Sequence, residues 1–143
     1  MTSTERLDSI RADFEMLDEW EDRYRYLIEL GKDLAPLEEG ERTDANKVRG
    51  CASQVWLATH VEQDEDGPRL RFKGDSDAHI VKGLIAIVFA MFDGQQAKDI
   101  PGIDAHAIFA ALGLAQHLTP QRSNGFAAMV ARIRADAEAA RQA

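Results

Sequence analysis

The sequence predicts an α+β fold, a small antiparallel sheet packed against several helices, and three observations point to it. From Leu7 to Leu30 the apolar residues recur at spacings of three and four, as on one face of a helical region. After Gly50-Cys51 the pattern changes to period two, first around Val55 to Val61 and again around Leu70 and Phe72, as in strands. Helical spacing then returns for the rest of the chain, so helices precede and follow one sheet.

The first helical stretch uses Leu7, Ile10, Phe14, Leu17, Trp20, Tyr24, Leu27 and Leu30, with a break expected near Asp18 and a stop at Gly31 or Pro36. Glu38 to Asn46 reads as an exposed acidic loop. Val55, Leu57, Thr59 and Val61 then alternate with Gln54, Trp56, Ala58 and His60. Asp64-Glu65-Asp66-Gly67-Pro68 turns the chain, and the second strand sets Leu70 and Phe72 against Arg69, Arg71 and Lys73, which predicts a hairpin with one wet side.

Gly74-Asp75-Ser76-Asp77 carries helix-start chemistry, because Ser and Asp side chains accept hydrogen bonds from unpaired amides and a carboxylate suits the positive end of the helix dipole. The helix it opens is expected to run to Phe92 and to be apolar around nearly its whole circumference, hence buried, with Gly83 marking a close approach and Gly94 the stop. Asp104 is expected to cap a shorter helix ended by Gly113. Ser123 or Asn124 is expected to cap the last one, with Phe126, Met129, Val130 and Ile133 inward and fraying after Asp136.

The chain has 143 residues, 45% of them hydrophobic and 29% charged, which suits one domain spanning residues 1–143. Folding at that length buries roughly 68 to 70% of the unfolded surface, so a core forms without metal or disulfide support. Seventeen Lys and Arg against 25 Asp and Glu give a formal charge of −8, which repels nucleic-acid backbones and anionic membranes. The longest apolar run, Gly83 to Phe92, is about half the ~20 residues a membrane span needs. The polar opening residues hold no secretory signal, so a cytoplasmic protein is expected.

The single cysteine, Cys51, cannot form an internal disulfide and leaves a zinc or iron-sulfur site short of thiolates. A lone cysteine is commonly a small buried hydrophobe. Here it stands where a loop meets a strand, beside a glycine that frees the backbone, with Lys47 and Arg49 near enough in sequence to favour a thiolate. Apolar Ala52, Val55 and Trp56 flank it, which predicts a thiol turned inward at rest.

Gly50-Cys51-Ala52-Ser53-Gln54-Val55-Trp56, Gly74 through Leu84, and His117-Leu118-Thr119-Pro120-Gln121-Arg122-Ser123-Asn124-Gly125 together resemble the SufE family of sulfur-acceptor proteins, over roughly Leu17 to Ile133. The resemblance implies an α+β fold shared with the IscU/NifU-type scaffolds. It also implies a carrier, not a complete enzyme, that takes persulfide sulfur onto Cys51 from a PLP-dependent cysteine desulfurase (SufS, or its paralogue CsdA), stimulates that desulfurase, and passes the sulfur to iron-sulfur cluster assembly on a SufBCD-like scaffold. PLP belongs to the partner, and no cofactor or metal of the chain's own is implied. SufE proper and its relative CsdE both fit, and self-association into a homodimer stays open.

The residues that the resemblance assigns to partner contact are Arg122, Asp77, Gly50 and Ser53. Arg122 is otherwise a surface arginine before a helix; Asp77 is a candidate to contact the acceptor loop or the partner, with a helix cap the favoured reading. The four histidines, His60, His79, His106 and His117, show no i, i+4 zinc pairing. His117 is a candidate to orient Cys51 or to support the loop before Arg122. Two other functions compete: a cysteine hydrolase or peroxidase with a histidine base, which lacks an ordered Cys-His-Asp pattern, and an adaptor in which Cys51 is inert. Lowering a thiol pKa from about 8.5 to about 7 yields only a ~3-fold net rate gain at pH 7. Aligning two sulfurs in a docked complex is worth effective molarities of ~10⁵ M or more. Docking thus outweighs acidity in sulfur transfer.

Overall fold

The computed structural model of the chain describes residues 2–51 and 53–142. Its centre is the most apolar element, helix α3 (His79–Phe92), which buries Ile80, Val81, Gly83, Leu84, Ile85 and every residue from Ile87 to Phe92. Helices α1 (Ser3–Met16), α2 (Trp20–Lys32) and α6 (Pro120–Gln142) pack against it, as does strand β2 (Gly67–Ser76) of the hairpin begun by β1 (Val55–Asp64). A 3-10 turn (Ile100–Gly102) and the short helices α4 (Ala105–Ala111) and α5 (Leu114–His117) link α3 to α6. The buried apolar residues form one contiguous cluster. Among the described residues, no helix is long and apolar enough to cross a membrane.

The expected break near Asp18 falls at Leu17 to Glu19. Arg23 holds the corner: its Nε donates at 2.7 Å to Leu17 O, just past the end of α1, and Nη2 donates at 2.9 Å to Phe14 O, which also accepts from Leu17 N–H. Neither Gly31 nor Pro36 is the stop of α2. Gly31 lies within its last turn, where a Cβ would come 2.7 Å from the Gly83 nitrogen, so this glycine serves close packing on α3. Gly83 answers it across the crossing, where a Cβ would collide with the Leu27 carbonyl.

The hairpin pairs Val55 with Ser76, Leu57 with Gly74, Thr59 with Phe72 and Val61 with Leu70. Val55, Leu57, Leu70 and Phe72 are buried, as the alternation requires. Val61 is 47% exposed even though its ladder partner Leu70 is fully buried, and the covering residues press closest on the inner face near Gly74. There a Cβ on Gly74 would press within about 3 Å of Phe89, Leu57 and Ile85.

Asp104 caps α4 as expected, accepting from Ala107 N at 3.0 Å, and Gly113 turns the chain into α5 with φ of 77°. The start of α6 differs from expectation. Pro120 opens the helix and Thr119 Oγ1 accepts from Arg122 N at 3.3 Å, so neither Ser123 nor Asn124 is the cap. Its end differs too. The helix continues to Gln142 with Ala137 and Ala140 buried, and Asp136 accepts from the Thr59 hydroxyl at 2.7 Å. Alanines carry too little apolar surface to signal a buried stripe in sequence.

Candidate functional site

Two backbone bonds make the loop that carries Cys51. Val48 N–H donates to Val55 O and Leu57 N–H donates to Asn46 O, each at 2.8 Å, which folds the segment before Cys51 alongside β1 and brings the two ends of the Cys51 loop together. Gly50 turns it with φ of 93°, a left-handed conformation that other residues adopt only under strain.

Asp77 fastens the far end of the loop. Its Oδ1 accepts from Gln54 N at 3.0 Å, and its own N–H donates to Gln54 O at 3.3 Å. The cap expected of Gly74 to Asp77 is therefore not made: α3 starts at His79 behind Ala78 with no side-chain cap, and Ser76 Oγ accepts from Ala78 N. Releasing the Asp77 contact in Asp77→Ala removes a charge-assisted bond worth about 1 kcal/mol at an exposed site. Iodoacetamide alkylation of Cys51 is then expected to run about fivefold faster, and an unchanged rate would show that the loop is held without Asp77.

The Cys51 side chain turns inward, half-buried, and Sγ donates to Gly125 O at 3.7 Å. It borders a cavity of about 20 Å³ lined also by Ser53, Val81, Leu84, Gln121, Arg122, Gly125 and Met129. Val81 and Leu84 come from one face of α3. Gln121, Gly125 and Met129, spaced by four, and Arg122 come from one face of α6. The thiol packs directly on α6 at Gly125, where a Cβ would lie 3.4 Å from Sγ, in ordinary van der Waals contact.

Burial pushes the Cys51 thiol above its ordinary pKa. The expected help from Lys47 and Arg49 does not prevail: desolvation of a thiolate against Val81, Leu84 and Met129 outweighs cations fixed only by nearness in sequence. At rest the protonated, sheltered form is favoured.

Of the residues singled out in the sequence, Ser53 and Arg122 share the cavity with Cys51, Gly50 bends its loop, and Asp77 tethers that loop from outside the cavity. No histidine is hydrogen-bonded to Cys51 among the described residues: His60 meets Glu41 at 2.9 Å, His106 sets its edge to Phe126, and His117 stacks on Trp20. Among those residues no three of His, Cys, Asp and Glu converge as a metal site. Sequence reasoning did not single out Val81, Leu84, Gly125 and Met129 as the cavity wall. Only the mid-helix Gly125 carried a signal, because a glycine inside a helix implies a close neighbour. Larger concavities of about 500 and 480 Å³ hold none of these residues.

Comparison with known proteins agrees with this geometry. The model of the SufE family, described as an Fe-S metabolism associated domain, matches residues 8–137. An uncharacterized SufE-like protein of Rhizobium meliloti (strain 1021) is 58% identical over 132 residues, covering 92% of this chain and 94% of the relative. A second, from Rhizobium etli, is 57% identical over 132 residues, covering 92% and 89%. The solution structure of a hypothetical protein from Thermus thermophilus shares the fold, with a TM-score of 0.77 at 21% identity over the full length of both chains. A match across nearly the whole chain, with the cysteine loop, the α3 segment and the α6 segment converging on one cavity, places this protein in the SufE family, whose domain is associated with Fe-S metabolism.

Proposed function

We propose that the protein is a cytoplasmic sulfur carrier that accepts persulfide sulfur on Cys51 from a PLP-dependent cysteine desulfurase of SufS type, stimulates its turnover, and hands the sulfur to a SufBCD-like scaffold for cluster assembly. The desulfurase paralogue that serves CsdE is the alternative donor. In the transfer step the Cys51 thiolate attacks the outer sulfur of the donor persulfide. The donor's S–S bond breaks, an S–S bond forms on Cys51, and the donor cysteine leaves as a thiolate, so the electrons balance without an external oxidant. The carrier supplies no cofactor, and PLP belongs to the partner desulfurase.

The observation that carries this reading is the size of the cavity beside the sulfur. At about 20 Å³ it has room for one water-sized group, hence one further sulfur atom. A hydrolase acting on a drug-sized substrate needs a pocket of roughly 300 Å³ or more, and a cysteine hydrolase or peroxidase of this kind needs a histidine base. Neither adjoins Cys51 among the described residues. A persulfide turned into this space is screened from stray thiols, and having no second cysteine prevents it from closing a disulfide within the chain.

Intact-mass analysis after incubation with a cysteine desulfurase and free cysteine is the test. The expected result is a gain of one sulfur atom, mapped to Cys51 and removed by reductant. A protein that stays at its starting mass while the desulfurase turns over overturns the proposal.

A further inference from the structure

Arg122 sits in the first turn of α6, where the unpaired amides carry partial positive charge and a cation gains nothing from the helix. Arg122 lines the Cys51 cavity, and something other than the helix must fix its guanidinium. Among the described residues no carboxylate pairs with it and no carbonyl accepts from its side chain. Its specific contact is a ring: the guanidinium carbon lies 5.8 Å from the centroid of Tyr24. Tyr24 belongs to α2, one helical turn after Trp20, and Trp20 stacks on His117 with centroids 4.3 Å apart and planes 17° apart. His117 closes α5 just before α6 begins. Two successive turns of α2 therefore grip the α5–α6 junction on both sides, and the second grip falls on Arg122.

A guanidinium held through its face keeps its five in-plane N–H donors uncommitted. An ion pair would spend them. Arg122 also lines the Cys51 cavity, and its uncommitted donors suit a negatively charged sulfur there. We infer that Tyr24 is a positioning residue whose ring holds the Arg122 guanidinium at the Cys51 cavity with its donors free for the anionic sulfur carried on Cys51. Its part in sulfur delivery rests on the carrier reading above. Its hold on Arg122 does not.

Because Cys51 is the only cysteine, alkylation of the full chain reports on it alone. The ratio of its rates with iodoacetate, an anion, and iodoacetamide, its neutral counterpart, reads the positive charge at the cavity. Tyr24→Leu leaves the formal charge unchanged, yet is expected to lower that ratio about two- to fivefold, the size of a partly exposed cation–π contact, toward the value of Arg122→Ala. Tyr24→Phe keeps the ring and is expected to keep the ratio. In an Arg122→Ala background, Tyr24→Leu is expected to do nothing further. Tyr24→Met serves the same test if the leucine variant melts below the assay temperature. A normal ratio in a folded Tyr24→Leu or Tyr24→Met protein overturns the inference, and so does an effect that persists without Arg122. These rates need no desulfurase. A chain that shows them but takes up no sulfur overturns the carrier reading and leaves the hold of Tyr24 on Arg122 intact.

Discussion

Cys51→Ser is expected to reduce desulfurase stimulation to the level seen without the carrier and to abolish sulfur uptake, while binding of the desulfurase persists. A serine hydroxyl fits where Sγ meets Gly125 O, so the loop and its tether at Gln54 survive. What disappears is the nucleophile. At neutral pH a hydroxyl has no significant anionic form and cannot attack a sulfane sulfur, and the advantage of ~10⁵ M that a docked, aligned pair provides then has nothing to act on. Steady-state turnover and a pull-down with the same desulfurase check the two halves separately. Unaltered turnover with Cys51→Ser would make the protein an adaptor. Loss of binding along with turnover would make the thiol part of the docking surface.

Gly83→Ala is expected to destabilise the fold more than other single-methyl additions in its helices. Helix propensity alone favours alanine by about 1 kcal/mol, so the sign is decided by packing. The added Cβ would strike the Leu27 carbonyl and come within 2.7 Å of its carbon, both backbone atoms of a facing helix that cannot swing aside. Separating α2 from α3 costs on the order of 3 kcal/mol net, and thermal unfolding is expected roughly 10 °C lower. Val81 and Leu84 flank Gly83 and form the cavity wall, so alkylation of Cys51 is expected to quicken in the same variant. A melting temperature equal to that of the unmodified chain would show that the helices part at little cost.

The elements that could be read from the chain were those with strong periodicity. The buried helix α3, the hairpin alternation and the Asp104 cap each follow from a local pattern, and so does the cysteine at a loop-to-strand junction. Misread were places where a local signal had two physical uses. Gly31 has the residue type of a helix stop but is used for interhelical approach, and Asp77 has that of a cap but is used to fasten Gln54. Thr119 took the capping role because Pro120, which lacks an N–H, is suited to open a helix. Ala137 and Ala140 hold the tail of α6 in place without any apolar stripe large enough to announce it.

The linear chain by itself determined the fold class, the family and the position of its one thiol, because periodicity, glycine placement and a lone cysteine are properties of residues and their near neighbours. Tertiary structure alone decided the environment of that thiol. Val81 and Leu84 on α3, Arg122, Gly125 and Met129 on α6, and Tyr24 on α2 are far apart in sequence, and only helix packing sets them around Cys51 and its arginine. Desolvation depends on every atom within a few ångströms whatever its place in the chain, which is why burial overrides the Lys47 and Arg49 charges beside Cys51 in sequence and pushes its thiol up.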